Sequence, residues 1–500
     1  MKPNKKPFAL LISALAFLPL AACGEASSLG SSAVSSSGLE PDLDDTPFNG
    51  TAYYDHVNTR VGFDAGCDLN IDEELSGGAL NDDYWNALSG VWQNDATSYP
   101  HNGVQARNLY YVKDGDETYL GIKGRGMYSS SSDSKVDANG YILPEGGCLI
   151  SKNHLAPGRY EIDMAAMPRY GGVSAMWTYL CETGNENTSQ NEIDIEIGGE
   201  AEKDTFSHEW CTSWTKKTNK QTVNVDTSSL CYLNDGSFHK YTFDWYTNYN
   251  GTDKGKVDWF VDGVCIASVS GGVVTDIDMP LWIGLWFPNW TNMAAFDEDF
   301  MLVKSIKYTA FDETQYYEES RAKAGYTQVD PSMAGIDSID YSDVKNANRL
   351  SNGDMERSAI ARQDSSYMGW LKSDAGDGTS EFVSDSASGS KALRLTAAAT
   401  EPMIFAQNIG SAYEGYRYRY SFAGKNVASG AGALEIHYLS RLGLDVAPAT
   451  TIAIDSADAY KTYSGEITVP AKAKTLEVRL VASSGSACFD DVSLVYEGHA

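Results

Sequence analysis

Positive charge is scarce in this chain. Across 500 residues, 38 Lys and Arg stand against 68 Asp and Glu, a formal net charge of −30. Such a surface repels a polyanion, which sets nucleic acid aside as a partner. Long apolar runs are missing beyond the first 23 residues, so no later stretch is long and apolar enough to span a bilayer. Long helical periodicities are few. Cysteine is limited to eight residues, with no CxxC and no Cys/His spacing that suggests zinc. No short internal repeat is visible. What is plentiful is aromatic and glycine: 30 Tyr, 16 Phe and 11 Trp beside 46 Gly. That mixture leans toward β-sandwiches and barrels. The length allows two or three domains, each with its own core.

The N-terminus reads as a targeting segment, residues 1–23. Lys2, Lys5 and Lys6 precede an apolar run from Phe8 to Leu20, too short to cross a bilayer as a mature helix. Leu20-Ala21-Ala22-Cys23 resembles a bacterial lipobox. The resemblance implies cleavage before Cys23 and lipidation of its thiol. Gly24 after the cysteine favours the outer membrane. The expectation is an exported lipoprotein at the outer membrane or cell surface, touching the membrane only through its lipid anchor. Export permits disulfides among Cys67, Cys148, Cys181, Cys211, Cys231 and Cys265, in pairings the sequence leaves open. Cys488, alone near the C-terminus, is expected as a buried thiol.

Residues 24–47 are a serine-rich tether. Residues 48–311 hold short alternating segments such as "GRYEIDMAAM", "VSAMWTYL", "HKYTFDWY" and "PLWIGLWF", punctuated by Gly, Asn, Asp and Pro. Residues 312–349 are expected to be a short helix, Asp312 to Gly325, and a polar linker. From 350 to 500 a second β region follows, in which "YRYRYSF" puts Tyr416, Tyr418 and Tyr420 on one face and Arg417 and Arg419 on the other.

One stretch stands out. Asn191 to Glu200 reads "NEIDIEIGGE". In a strand, alternation puts Glu192, Asp194 and Glu196 on one face and Ile193, Ile195 and Ile197 on the other. Like charges this close repel, so the arrangement calls for a use. Residues four apart in a strand are about 13 Å apart at Cα. Each glutamate reaches roughly 4 Å inward, which leaves about 5 Å between the carboxyl groups, the separation of a retaining glycosidase. Three neighbouring carboxylates cannot all ionise cheaply, so at least one proton is held toward neutral pH, as a general acid requires.

Glu192-Ile193-Asp194-Ile195-Glu196 closely resembles the catalytic signature of glycoside hydrolase family 16, a β-jelly-roll (concanavalin-like) family that includes lichenases, laminarinases, agarases and carrageenases. The resemblance covers about 250 residues; "FHKYTFDW", "VDWFVDGV" and "PLWIGLWFPNW" also look like family segments. It implies Glu192 as nucleophile, Glu196 as general acid/base and Asp194 as the residue that tunes the pair. The single residue between Asp194 and Glu196 is similar to the unbulged strand of lichenases. By alternation, Trp177 and Tyr179 share a face, as do Phe206, His208 and Trp210, and Trp282 and Trp286. The resemblance places Trp177, Tyr179, His208, Trp210 and Trp286 in a sugar cleft, where flat rings stack on sugars.

Departures from the lichenase pattern limit what it implies. "GGCLISKN" lacks the Glu and Arg that grip sugar there, Gly284 replaces an Asn, and Lys304 stands about where lichenases place a calcium-ligating Asp, so that calcium site does not carry over. The second region, through "NGDME", Trp370, "KALRL" and "CFDDVSLVYE", resembles a carbohydrate-binding module of the family 4/9/22 type. That resemblance implies a structural calcium site with Glu356 and Asp491. Tyr367, Trp370 and Tyr438 are its candidate sugar-binding aromatics.

The expected protein is all-β: a jelly-roll catalytic domain plus a second β-sandwich. The expected function is that of a monomeric retaining endo-glycoside hydrolase. It would act on a β-linked polysaccharide, first a β-1,3- or mixed-linkage glucan, without a catalytic cofactor. Alternatives left open are a galactan or agar-type substrate, transglycosylation, and a non-catalytic glycan-binding surface protein.

Overall fold

The structure, a computed structural model, describes residues 71–75, 78–91, 100–181, 186–198, 208–247, 255–291, 293–311, 331–332, 336–361, 366–373, 377–410, 412–440 and 442–499. The leader with Cys23, the serine tether, Cys67, Phe206 and the helix expected at 312–325 lie outside these residues.

Strands dominate. The first part of the chain forms β1 (Ile71–Glu74), β2 (Trp85–Leu88), β3 (Leu109–Asp114), β4 (Glu117–Arg125), β5 (Gly147–Leu155), β6 (Gly158–Ala165), β7 (Val173–Leu180) and β8 (Asn191–Gly198). It continues with β9 (His208–Lys216), β10 (Asn219–Asp226), β11 (His239–Tyr246), β12 (Lys256–Val261), β13 (Val264–Ser270), β14 (Met279–Trp286), β15 (Glu298–Ala310), β16 (Pro331–Ser332) and β17 (Asp337–Asp340). These build two sheets. One runs β13-β12-β11-β6-β15-β4-β3-β17, with β1 on β15; the other runs β10-β9-β8-β7-β14-β5-β2-β16. Their facing sides share one core, where Ile193, Ile195, Ile197, Met176 and Ile283 of the second sheet meet Tyr160, Ile162, Phe243 and Trp259 of the first.

Residues 337–345 were expected as linker, and here the structure differs. β17 pairs in parallel with β3, and a helix at Tyr341–Lys345 follows it, capped by the Asp340 carboxylate on Ser342 N–H. The reason is an exposed edge: β3 would otherwise present unpaired backbone groups. Ile339 also packs by Val112 and Leu302.

The second region is a separate β-sandwich of β18 (Leu371–Ser373), β19 (Thr379–Val383), β20 (Ala392–Thr396), β21 (Met403–Gly410), β22 (Tyr416–Leu439), β23 (Thr450–Ala453), β24 (Lys461–Thr468) and β25 (Thr475–His499). β22 and β25 are long, paired strands interrupted by register shifts, and each lines two parts of the sandwich. Tyr416 and Tyr418 are buried while Arg417 and Arg419 are exposed, as alternation requires. Cys488 is a fully buried thiol. Trp370 and Tyr438 are not surface aromatics. Trp370 is fully buried and donates its indole N–H to the Asn352 carbonyl, and the Tyr438 hydroxyl bonds Thr450. Both pack in one core with Phe405, Tyr416, Phe422 and Phe489, where burial of a large ring contributes more than exposure to solvent. Tyr367 stacks on Phe405 at 5.7 Å. Glu356 accepts N–H bonds from Ser390 and Lys391, and Asp491 accepts from the Ser388 hydroxyl, so both acids clamp the 388–391 turn.

Candidate active site

β8 sits between β7 and β9 with no register shift on either side. The unbulged strand expected from the sequence is therefore present. The local cause is the isoleucine face. All three isoleucines are fully buried, and each contributes about 1.5–3 kcal/mol. That anchorage outweighs the repulsion among the acids on the other face. From the opposing sheet, Trp259 donates its indole N–H to the Asp194 carbonyl at 2.8 Å, which pins the strand at its centre.

Register then builds the other face layer by layer. Tyr179, Glu192 and Trp214 stand side by side; next come Trp282, Trp177, Asp194 and Thr212; then Cys148, Gly284, Ala175, Glu196 and Trp210. Trp286 pairs with Val173 one layer on, and His208 begins β9 at the same end. Every described candidate from the sequence thus lies on one sheet face. They differ in exposure. Trp177, Trp282 and Trp286 are buried, with Trp177 and Trp282 5.5 Å apart. Tyr179, His208 and Trp210 are half-buried. His208 Nδ1 lies 2.8 Å from Asn224 Oδ1, and Trp210 meets the exposed Trp290 edge-on at 5.4 Å.

The acids are held by residues the motif did not name. Gln190 donates to Glu192 at 2.5 Å, and Trp214 donates to Asp194 at 3.0 Å. Trp214 was legible by the same alternation that found His208 and Trp210, since it lies two steps farther along β9. Gln190 and Lys220 carried no such signal. Lys220 lies with Nζ 4.2 Å from the Trp214 ring centre.

Burial raises all three acids. Glu192 is pushed up to about 7 by desolvation, against hydrogen bonds from Gln190 and Asp194 and the charge of Lys220. Glu196 is pushed up to about 8 by desolvation and then by the Glu192 charge, with Lys220 opposing. Asp194 is raised well above the usual range by desolvation and both glutamates. Asp194 and Glu192 also interact directly, side chain to side chain.

The lichenase-type asparagine is missing for a steric reason. A Cβ on Gly284 would sit 3.0 Å from the Gly147 carbonyl and 3.1 Å from Cys148 Sγ. Cys148 fills the space that a longer residue at 284 would need.

Parts of the chain are similar to known proteins. A xylanase/beta-glucanase from Ruminococcus flavefaciens is 31% identical over 149 residues, 29% of this chain and 16% of that protein. A beta-glucanase from Acetivibrio thermocellus is 33% identical over 144 residues, 28% of this chain and 38% of that protein. The chain therefore spans well under half the length of either relative. Among solved structures, the glycoside hydrolase family 16 endo-glucanase from Bacteroides ovatus aligns with TM-score 0.38 and 14% identity, over 48% of this chain and 99% of that one. Residues 89–286, the segment that holds β3 to β14, match the family model of Glycosyl hydrolases family 16.

Proposed function

We propose that this chain is a retaining, endo-acting glycoside hydrolase of a β-linked polysaccharide, with a β-1,3- or mixed-linkage β-glucan as its first substrate class. The observation that carries this reading is the placement of Glu192, Asp194 and Glu196 on one face of an unbulged strand, in a sheet face lined by aromatic rings. Glu192, as a carboxylate, attacks the anomeric carbon. Glu196, still protonated, gives its proton to the departing glycosidic oxygen. Asp194 hydrogen-bonds Glu192, which steadies the carboxylate before attack and the leaving carboxylate afterwards.

The intermediate is a glycosyl ester on Glu192, and its formation removes the Glu192 charge. That charge is one cause of the raised proton affinity of Glu196. Once it is gone, Glu196 ionises more readily and stands as a carboxylate, free to accept a proton from water. Water then attacks the same anomeric carbon, Glu196 takes its proton, and Glu192 leaves with net retention. Two carboxyl groups supply the whole acid, base and nucleophile chemistry, so no step calls for a cofactor.

The glucan assignment rests on the beta-glucanase names of the two relatives. The lichenase grip residues are absent, and Cys148 beside Gly284 shapes this part of the face differently. A panel of β-glucans and galactans, with product anomers followed by proton NMR, tests both parts. Release of β-anomers from a glucan is the expected result. α-Anomers would overturn the retaining mechanism, and turnover confined to galactan would overturn the substrate class.

A further inference from the structure

Outside the catalytic face, a cysteine, a histidine and an aspartate converge. Cys231 lies in the segment between β10 and β11, His239 opens β11, and Asp262 occupies the turn between β12 and β13. One ligand atom from each lies within 4.8 Å of the other two. His239 Nδ1 is 2.7 Å from Asp262 Oδ2, and His239 Nε2 is 3.1 Å from the Tyr232 carbonyl oxygen. Cys231 is a free thiol that hydrogen-bonds the His239 ring.

We propose that Cys231, His239 and Asp262 form a binding site for a divalent metal ion of the zinc class. The donor set is the argument. A thiolate sulfur, an imidazole nitrogen and a carboxylate oxygen together suit a borderline-soft ion with tetrahedral preference, whereas calcium and magnesium take oxygen donors. Zinc bonds of about 2.0–2.3 Å put ligands roughly 3.3–3.8 Å apart, a spacing these atoms reach with small side-chain adjustments.

The surroundings fit as well. A metal-bound histidine almost always donates its other ring N–H to a carbonyl or carboxylate. Here the Tyr232 carbonyl can hold the proton on Nε2, while Nδ1, which faces Asp262 at hydrogen-bond distance, would exchange its proton for the metal. Asp262 is set in place too: its Oδ1 accepts the Lys240 N–H at 2.9 Å, and its backbone is left-handed at φ 49°. The His239 side chain is 12% exposed and that of Asp262 43%, so an ion can enter from solvent and keep a water as fourth ligand. Binding would release the thiol proton to solvent. Tyr232, next to Cys231, stacks on Tyr413 of the second sandwich at 3.9 Å. The ion would therefore fasten the segment on which that sandwich rests.

Cobalt(II) titrated into the chelator-treated full chain tests the site. The expected result is a near-ultraviolet thiolate-to-cobalt band that saturates at one equivalent and is bleached by zinc. Excess zinc should raise the melting temperature by about 5 °C. Cys231→Ser should abolish the band. Asp262→Asn, whose side chain tolerates the left-handed turn, should weaken cobalt binding by about tenfold or more. Absence of the band, its survival in Cys231→Ser, or unchanged cobalt affinity in Asp262→Asn would overturn the proposal.

Discussion

Lys220 lies beyond the three acids of the motif, yet it bears on how they work. Its cation favours the charged forms of Glu192 and Glu196. The proposed mechanism expects kcat/KM to rise with pH as Glu192 ionises, near 7, and to fall as Glu196 loses its proton, near 8. Removing the cation makes both carboxylates harder to form. Lys220→Met should therefore move both limbs of the pH profile to higher pH, and a profile that stays in place would deny Lys220 this role. Glu192→Gln and Glu196→Gln test the roles themselves. Each should lower turnover by about 10³-fold or more, with the far-ultraviolet circular dichroism unchanged. Near-normal turnover in either variant would sink the assignment.

At the scale of the strand, β9 carries one acid, and it lies on the core face. Glu209 is fully buried on the core side, its Oε2 has no hydrogen-bond partner among the described residues, and desolvation pushes it up to about 8. A carboxyl that binds its proton more tightly when folded stabilises the fold most below its unfolded value, about 4.3. That contribution is lost as pH rises to about 8. Glu209→Gln is neutral at every pH. Relative to the parent chain it should gain on the order of 3 kcal/mol between pH 5.5 and 8.5, read by denaturant unfolding at each pH. Equal pH dependence in the two proteins would mean that Glu209 is solvated.

The same scale explains what the sequence could disclose. β8, β7 and β9 were legible because a period of two, with one apolar face, fixes both strand and register. That period put the acids on one face and grouped the aromatics by face; their placing in a cleft came from the family resemblance. β17 was not legible: "DSID" has no apolar face of its own, and it becomes a strand because β3 offers an open edge. Trp370 and Tyr438 misled for a related reason. An aromatic residue has the same letter whether it stacks on sugar or fills a core, and only the partner across the sandwich decides. The Cys231, His239 and Asp262 cluster is assembled from the start of one strand, a loop and a hairpin turn, so no local spacing announces it.

At the scale of the molecule, the junction between the two sandwiches is built from charges as well as rings. Asp299, at the start of β15, is buried and accepts from Arg169 at 2.7 Å and from Arg349 at 2.6 Å. Arg169 also donates to the Arg349 and Asn348 carbonyls, which lead into the second sandwich. Asp297 pairs with Arg357 close by, and Tyr170 packs so tightly on Gly410 that any Cβ there would meet its ring at 1.9 Å. Contacts of this kind couple the two sandwiches, which belong to one compact unit from Pro41 to Ala500. Asp299 is the anion that two arginines share, with side chains only 11% and 13% exposed. Removing it leaves two largely desolvated cations facing each other, a cost of about 3–5 kcal/mol. Most of that cost falls on the junction, because each sandwich keeps its own core. Asp299→Asn should therefore turn a single calorimetric transition into two, with the second sandwich melting first, while Glu192 and Glu196 on the far sheet keep their pH profile. A variant that still melts in one transition at the parent temperature would place the coupling elsewhere, in the Tyr232–Tyr413 stack.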